Sequence, residues 1–189
     1  ALKNLTKEGI TSGIHLTGDV MYDALLKFSP ISDKYSTILN NISMKPDNYY
    51  LATLHRPQNV DNTVVLGRII NAFSRLDHDI IWPLHPRTKQ TLSTMPEYLD
   101  MPKNIKIIEP VGYFDMLHLE KHSIKIITDS GGVQKEAYLL QKPCITIRPD
   151  TEWIETVDDG WNVLVGNNIN EIVDAVINFE PKNRQSMHY

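Results

Sequence analysis

The stretch from Ile124 to Arg148 constrains the fold of this chain more than any other. Ile124, Ile126 and Ile127 make a short β-branched run of the kind found in buried strands, and it breaks at Thr128-Asp129-Ser130-Gly131-Gly132. Helical spacing follows, with Val133, Ala137 and Leu140 on one face. Lys142-Pro143 stops it, and Cys144-Ile145-Thr146-Ile147 begins another strand. In such a unit the glycines let backbone approach a ligand closely, and the helix start offers free N–H groups and a partial positive charge. A phosphate is the natural guest. Glu136, further along the same helix, can accept hydrogen bonds from a sugar diol. The same residues also read as an ordinary capped helix, with Ser130 or Asp129 as N-cap and glycines serving only the turn.

The rest of the chain repeats this alternation. Strands are expected at Tyr49–Leu54, Ile80–Leu84, Ile105–Ile108 and Asn162–Val165, and a short one at Ile14–Thr17. Helices are expected after Asp19, from Ile31 to about Asn41 beyond an interruption at Ser29-Pro30, and at Thr63–Leu76. Further helices are expected at Lys89–Thr94, Tyr113–Lys121, Thr151–Val157 and Asn168–Phe179. Residues 1–12 read as a connector and 181–189 as a polar tail. Hairpin signals are missing, so the pattern is that of βαβ units in a parallel, doubly wound, Rossmann-like α/β sheet spanning 1–189 as a single domain.

Composition narrows the chemistry. The net charge of −4 argues against a nucleic-acid or membrane-surface binder, so any anion site has to be local. The one cysteine, Cys144, excludes an internal disulfide and fits a reducing compartment, so cytoplasm is the expected location. No apolar run reaches membrane-spanning length.

In parallel sheets ligands bind outside the carboxyl ends of the strands, where the polar residues of this chain collect. His55-Arg56 follow one strand, His85 and Arg87 the next, Glu109-Pro110-Val111 another, then Ser130-Gly131-Gly132, then Arg148. Together they describe a cleft with anion-binding groups, a carboxylate and histidines. The histidines are not at metal spacing with a second cysteine or carboxylate in the sequence, and neither a Walker lysine, a G-x-G-x-x-G turn nor a G-x-S-x-G elbow is present. No metal site is expected. A nucleotide–sugar site remains.

Leu54-His55-Arg56-Pro57-Gln58-Asn59, Thr128 through Ser-Gly-Gly-Val-Gln-Lys-Glu to Glu136, Lys142-Pro143, and Arg148 through Thr151-Glu152 resemble the non-hydrolysing UDP-N-acetylglucosamine 2-epimerases, in order and with matching gaps. The resemblance covers about Gly18 to Ala175 and implies the second, UDP-binding domain of a glycosyltransferase-B arrangement. The first domain, with the proton-transferring carboxylates, would precede Ala1 and is absent, so catalysis by this chain alone is not expected. It further implies His55 as the active-site histidine, Ser130, Gly131 and Gly132 as the phosphate turn, and Glu136 as the ribose carboxylate. Arg56, His85, Arg87, Val111, Met116, Arg148 and Glu152 complete the expected substrate contacts. Family enzymes eliminate UDP across C1–C2 and re-add it to the other face, with no redox cofactor; a homodimer is expected for the full-length protein.

Three positions depart from the family pattern. Gln58 stands for a glutamate, Met116 for a phenylalanine that packs on uracil in some members, and Glu152-Trp153-Ile154-Glu155 for Glu-Arg-Pro-Glu. With Leu84-His85-Pro86-Arg87-Thr88, the Trp153 variant is similar to members acting on UDP-2,3-diacetamido-2,3-dideoxy-glucuronic acid. A glycosyltransferase donor domain and a non-catalytic nucleotide-sugar binder are the competing readings.

Overall fold

Six strands, β1 (Tyr49–Thr53), β2 (Asp79–Pro83), β3 (Ile105–Ile108), β4 (Lys125–Thr128), β5 (Cys144–Ile147) and β6 (Asn162–Val165), pair in parallel in the order β3-β2-β1-β4-β5-β6. The structure is a computed structural model and describes residues 2–96 and 100–181. Side chains alternate across the strands, as the two-residue period requires. Tyr50, Ala52, Ile80, Trp82, Ile127, Ile145 and Ile147 face one core. Tyr49, Leu51, Ile81, Ile126 and Cys144 face the other.

Helices cover both faces. On the first lie α5 (Thr63–Phe73), through Leu66, Ile69, Ile70 and Phe73, and α10 (Ile169–Asn178), through Ile172, Ala175 and Val176. On the second lie α3 (Ile38–Asn41), α7 (Tyr113–Lys121) and α8 (Gly131–Leu139), with α2 (Val20–Tyr35) packed outside α7. The helix α8 ends as Gln141 takes a φ of 57° and the Lys142 N–H returns to Ala137 O at 2.9 Å. Strand order reverses between β1 and β4, so the crevice for a ligand opens at their carboxyl ends.

Several local expectations are corrected. Residues 1–12 are not all connector, since Leu2–Lys7 form the helix α1. Ile14–Thr17 is not a strand: it pairs with no strand among the described residues, and Leu16 is 82% exposed. Pro30 does not interrupt α2. Proline costs a helix one backbone bond, about 3 kcal/mol in isolation, and packing overrides that here. Ser32 Oγ donates to Phe114 O at 2.6 Å and Ser36 Oγ to Asp115 Oδ1 at 2.6 Å, tying α2 to α7. The break falls instead at Ser36-Thr37. A one-turn helix, α4 (Pro57–Val60), fills the loop after β1, and α6 runs Pro86–Leu92, earlier than expected because Pro86 sits ready at its first turn and His85 Nδ1 caps Arg87 N at 3.1 Å. Thr151–Trp153 stay outside α9 (Ile154–Asp158), since the Thr151 hydroxyl accepts from Trp153 N and donates to Gln134. The tail 182–189 lies outside the described residues.

Candidate functional site

The site is built around Asp129, a carboxylate with no exposed surface at the end of β4. It accepts from His55 N at 3.0 Å, Arg56 N at 2.9 Å and Asn59 Nδ2 at 3.0 Å. Asn59 also donates to Ile147 O at 2.8 Å. One carboxylate thus pins the exit of β1 to that of β4, and Asn59 carries the link to β5. A buried carboxyl group needs such a set of donors, so Asp129 and the loop after β1 hold each other in place.

His55 faces this carboxylate with Nδ1 3.4 Å from Asp129 Oδ1, and its ring centroid is 5.2 Å from that of His85. Burial holds its pKa below the ordinary histidine value; Asp129 pulls the other way, and His85, Arg56 and Arg87 reinforce the lowering. An incoming polyanion would offset the two guanidinium neighbours, Arg56 and Arg87, and favour the imidazolium, which can then donate from Nε2.

Ser130 is the N-cap of α8. Its N–H donates to Thr128 Oγ1 at 2.9 Å and its hydroxyl accepts from Val133 N at 3.5 Å. Neither Gly131 nor Gly132 has positive φ, so both are there for space. A Cβ on Gly131 would stand 3.3 Å from Glu152 Oε2, and one on Gly132 would project into open surroundings with only Ser130 Oγ near, at 3.9 Å. The first glycine admits the loop before α9, and the second leaves bare backbone beside the free N–H groups of the helix.

That loop supplies Glu152 and Trp153. Glu152 receives Arg148 through both nitrogens, at 3.0 and 3.1 Å, and Arg56 approaches it at 3.9 Å. Arg148 also holds Asp150 at 2.9 Å. The Arg148 guanidinium keeps the Glu152 carboxyl below the usual carboxylate range. Trp153 Nε1 donates to Gly131 O at 2.7 Å, and Lys135 Nζ lies 4.4 Å over the indole while pairing with Asp19, the N-cap of α2. The tryptophan standing where the family has arginine thus props the turn by hydrogen bond and cation–π contact.

On the α7 side, Val111, Met116 and Val133 each pack against the second core and stay half-buried. Glu136, half-buried, lies against Tyr113; burial pushes its pKa up, and hydrogen bonding to the Tyr113 hydroxyl draws it back. Behind it stands Glu120, 1% exposed, with no hydrogen-bond partner for either carboxylate oxygen among the described residues. Burial, then the proximity of Glu136, pushes it well above the usual range.

The structure therefore brings together His55, Arg56, His85, Ser130, Gly131, Gly132, Arg148 and Glu152, with Val111, Met116 and Glu136 along the adjoining wall. Arg87 turns away to grip Asp61 with two bonds of 2.7 and 2.6 Å. Asp129, Glu120, Tyr113 and the Asp19–Lys135–Trp153 chain were not anticipated as site residues. Asp129 carries a sequence signal, a lone acid at the mouth of a buried strand opposite an Asn-containing loop, and Trp153 carries one as a departure from the family pattern. Among the described residues no helix is long and apolar enough to cross a membrane.

The family profile described as UDP-N-acetylglucosamine 2-epimerase matches residues 1–189. A UDP-N-acetylglucosamine 2-epimerase homolog of Methanococcus maripaludis is 48% identical over 181 residues, covering 94% of this chain and 51% of the relative. The UDP-2,3-diacetamido-2,3-dideoxy-D-glucuronate 2-epimerase of Pseudomonas aeruginosa is 39% identical, covering 93% of this chain and 49% of its own length. The crystal structure of Methanocaldococcus jannaschii UDP-GlcNAc 2-epimerase, in complex with UDP-GlcNAc and UDP, superposes with a TM-score of 0.85 at 41% identity, covering 98% of this chain and 53% of that one. The chain spans about half the length of the relatives it matches. With its parallel Rossmann-like sheet, its helix-start glycine turn and the histidine facing it, the chain belongs to the UDP-N-acetylglucosamine 2-epimerase family.

Proposed function

We propose that this chain is the UDP-binding half of a nucleotide-sugar 2-epimerase, holding the nucleotide while C2 of a 2-acetamido sugar is inverted by loss and re-addition of UDP. The observation that carries this reading is the convergence at the β1/β4 switch point, where the start of α8, with Ser130 and Gly132, lies across from His55, and Glu136 sits a turn further on. The diphosphate would rest on the helix N-terminus, the ribose on Glu136, and the base against Met116 and Val111. As the C1–O bond breaks, negative charge grows on the departing diphosphate; the N–H groups of α8 and a protonated His55 are placed to stabilise it. The carboxylates that move the C2 proton belong to the other half of the cleft. The substrate named for the M. jannaschii relative, UDP-GlcNAc, is the first candidate.

Calorimetry of this chain with UDP tests the site directly, with saturable and modest binding expected; an absence of heat at millimolar UDP would overturn it. Turnover of UDP-GlcNAc by the two-domain enzyme without any acceptor separates an epimerase from a glycosyltransferase donor domain. A second sugar is favoured by the similarity to the P. aeruginosa relative and by Trp153 in the phosphate-side loop: a UDP-2,3-diacetamido-glucuronate. Competing the two UDP-sugars in one assay decides between them. The same reading places the protein in the cytoplasm as a homodimer, which light scattering on the two-domain enzyme checks.

A further inference from the structure

The C-terminal half of α7 carries a second cluster that the nucleotide site does not use. His118 and His122 stand one helical turn apart on the same face, with ring centroids 4.4 Å apart. Asp33, from the last turns of α2, projects between them. Its Oδ1 is 3.7 Å from His118 Nδ1 and 3.6 Å from His122 Nε2, and one donor atom from each of the three residues lies within 4.8 Å of the other two. We propose that Asp33, His118 and His122 form a binding site for a divalent transition-metal ion of the zinc, cobalt or nickel class, clamping α2 to α7.

The donor set is the first argument. Two imidazoles and a carboxylate suit borderline metals, which accept nitrogen and oxygen together, and do not suit magnesium or calcium, which need oxygen shells. Spacing is the second. Ligands about 2.0–2.1 Å from a tetrahedral ion lie roughly 3.3 Å from one another, so the carboxylate–imidazole separations need close by only a few tenths of an ångström. The third argument is orientation. Asp33 Oδ2 is taken by Lys121 Nζ at 2.5 Å, and Lys121 is itself held by Ser29 Oγ at 3.2 Å. This leaves Oδ1 to face both rings, which is how carboxylate ligands are commonly fixed from behind. His118 Nδ1 is buried and has no hydrogen-bond partner among the described residues, so it is turned towards the cluster without a proton acceptor or donor to occupy it. A bound ion would satisfy it, with water completing the coordination.

The probe is Co²⁺ or Zn²⁺ alone, added to the apo protein after chelation, with Mg²⁺ for comparison. One equivalent of Co²⁺ should bind with a visible ligand-field band, Zn²⁺ should displace it and raise the thermal midpoint, and Mg²⁺ should do neither. His122 is the more exposed of the two imidazoles, 27% against 13%, so His122→Ala is the variant expected to stay folded. It should weaken Co²⁺ binding by roughly tenfold or more, as should Asp33→Asn, whereas His78→Gln on the far side of the sheet should leave it unchanged. Wild-type protein that shows no saturable Co²⁺ binding would overturn the site. So would binding that survives His122→Ala in a variant whose circular dichroism matches wild type, since the ion would then sit on other histidines.

Discussion

The exits of β1, β4 and β5 and those of β2 and β3 lie on the same edge of one sheet, yet they behave differently. After β1, β4 and β5 the groups knit into one connected system centred on buried Asp129 and Asn59, in which Asp129 holds His55 N, Arg56 N and Asn59, Asn59 holds Ile147 O, and Arg148 and Arg56 converge on Glu152. After β2 and β3 the charges pair off in the open, Arg87 with Asp61 and Lys89 with Glu109, while His85 leans inward to His55. Position at a strand end is therefore not enough to make a site. Reversal of strand order opens the crevice between β1 and β4, and a buried carboxylate there organises what surrounds it.

The largest expected break is Asp129→Ala. It would leave two backbone N–H groups and the Asn59 amide without their shared acceptor, and hydrogen bonds to a charged group are worth about 1.5–3 kcal/mol each. A loss on the order of 3–5 kcal/mol is expected from denaturant unfolding, along with loss of UDP binding. Arg87→Ala, on the exposed edge, should leave the unfolding midpoint close to wild type. Equal effects for the two would abolish the distinction.

His55→Ala sharpens the comparison from the other side. Its backbone N–H, not its ring, makes the bonds to Asp129, so the anchor survives the truncation. In the two-domain enzyme kcat should fall on the order of 10²-fold or more, as for loss of one charge-stabilising donor, while the thermal midpoint moves little. Early unfolding, or near wild-type turnover, would make the ring structural. Glu136→Ala should weaken UDP by about 1.5–3 kcal/mol and spare inorganic pyrophosphate, which has no ribose. A like loss for both ligands in calorimetry would remove Glu136 from the ribose.

Much of this was readable in the sequence because the elements are short and sharply bounded. Runs such as Ile105–Ile108 and Cys144–Ile147 have no other way to bury themselves, and the alternation with helices leaves one sheet type. The turn at Ser130-Gly131-Gly132 and His55 could be placed at strand ends for the same local reason. What escaped depends on partners distant in the chain. Pro30 reads as a break until Ser32 and Ser36 are seen bonded to α7, some 80 positions away. Trp153 shows as a departure from pattern, but its bond to Gly131 O, 22 positions away, is visible only in three dimensions. Asp129 looks like a cap because caps and buried anchors use the same residue, and burial alone separates them.

The smallest effect concerns the α7 wall, where polar groups are buried without the pairing that Asp129 enjoys. Glu120 and Glu136 are neighbours, and two carboxylates this close and this buried do not both ionise. Glu136 has the Tyr113 hydroxyl to support a charge, whereas Glu120 has no such donor among the described residues, so Glu120 is the one that holds the proton more tightly. The folded state then binds more protons than the unfolded state at pH above the ordinary carboxyl range. Stability should accordingly fall as pH rises from that range through the raised pKa of Glu120, and level off beyond it. Glu120→Gln keeps the shape and cannot ionise, so its stability curve should be flatter across this window. On the alkaline side it should lie above wild type, because only the wild type must there ionise a carboxyl in the core or hold its proton against the pH. Urea unfolding at a series of pH values reads both the slope and the gap. Parallel curves for the two proteins would mean that Glu120 ionises as freely as a surface carboxylate, and the contrast between a paired and an unpaired buried acid would fail.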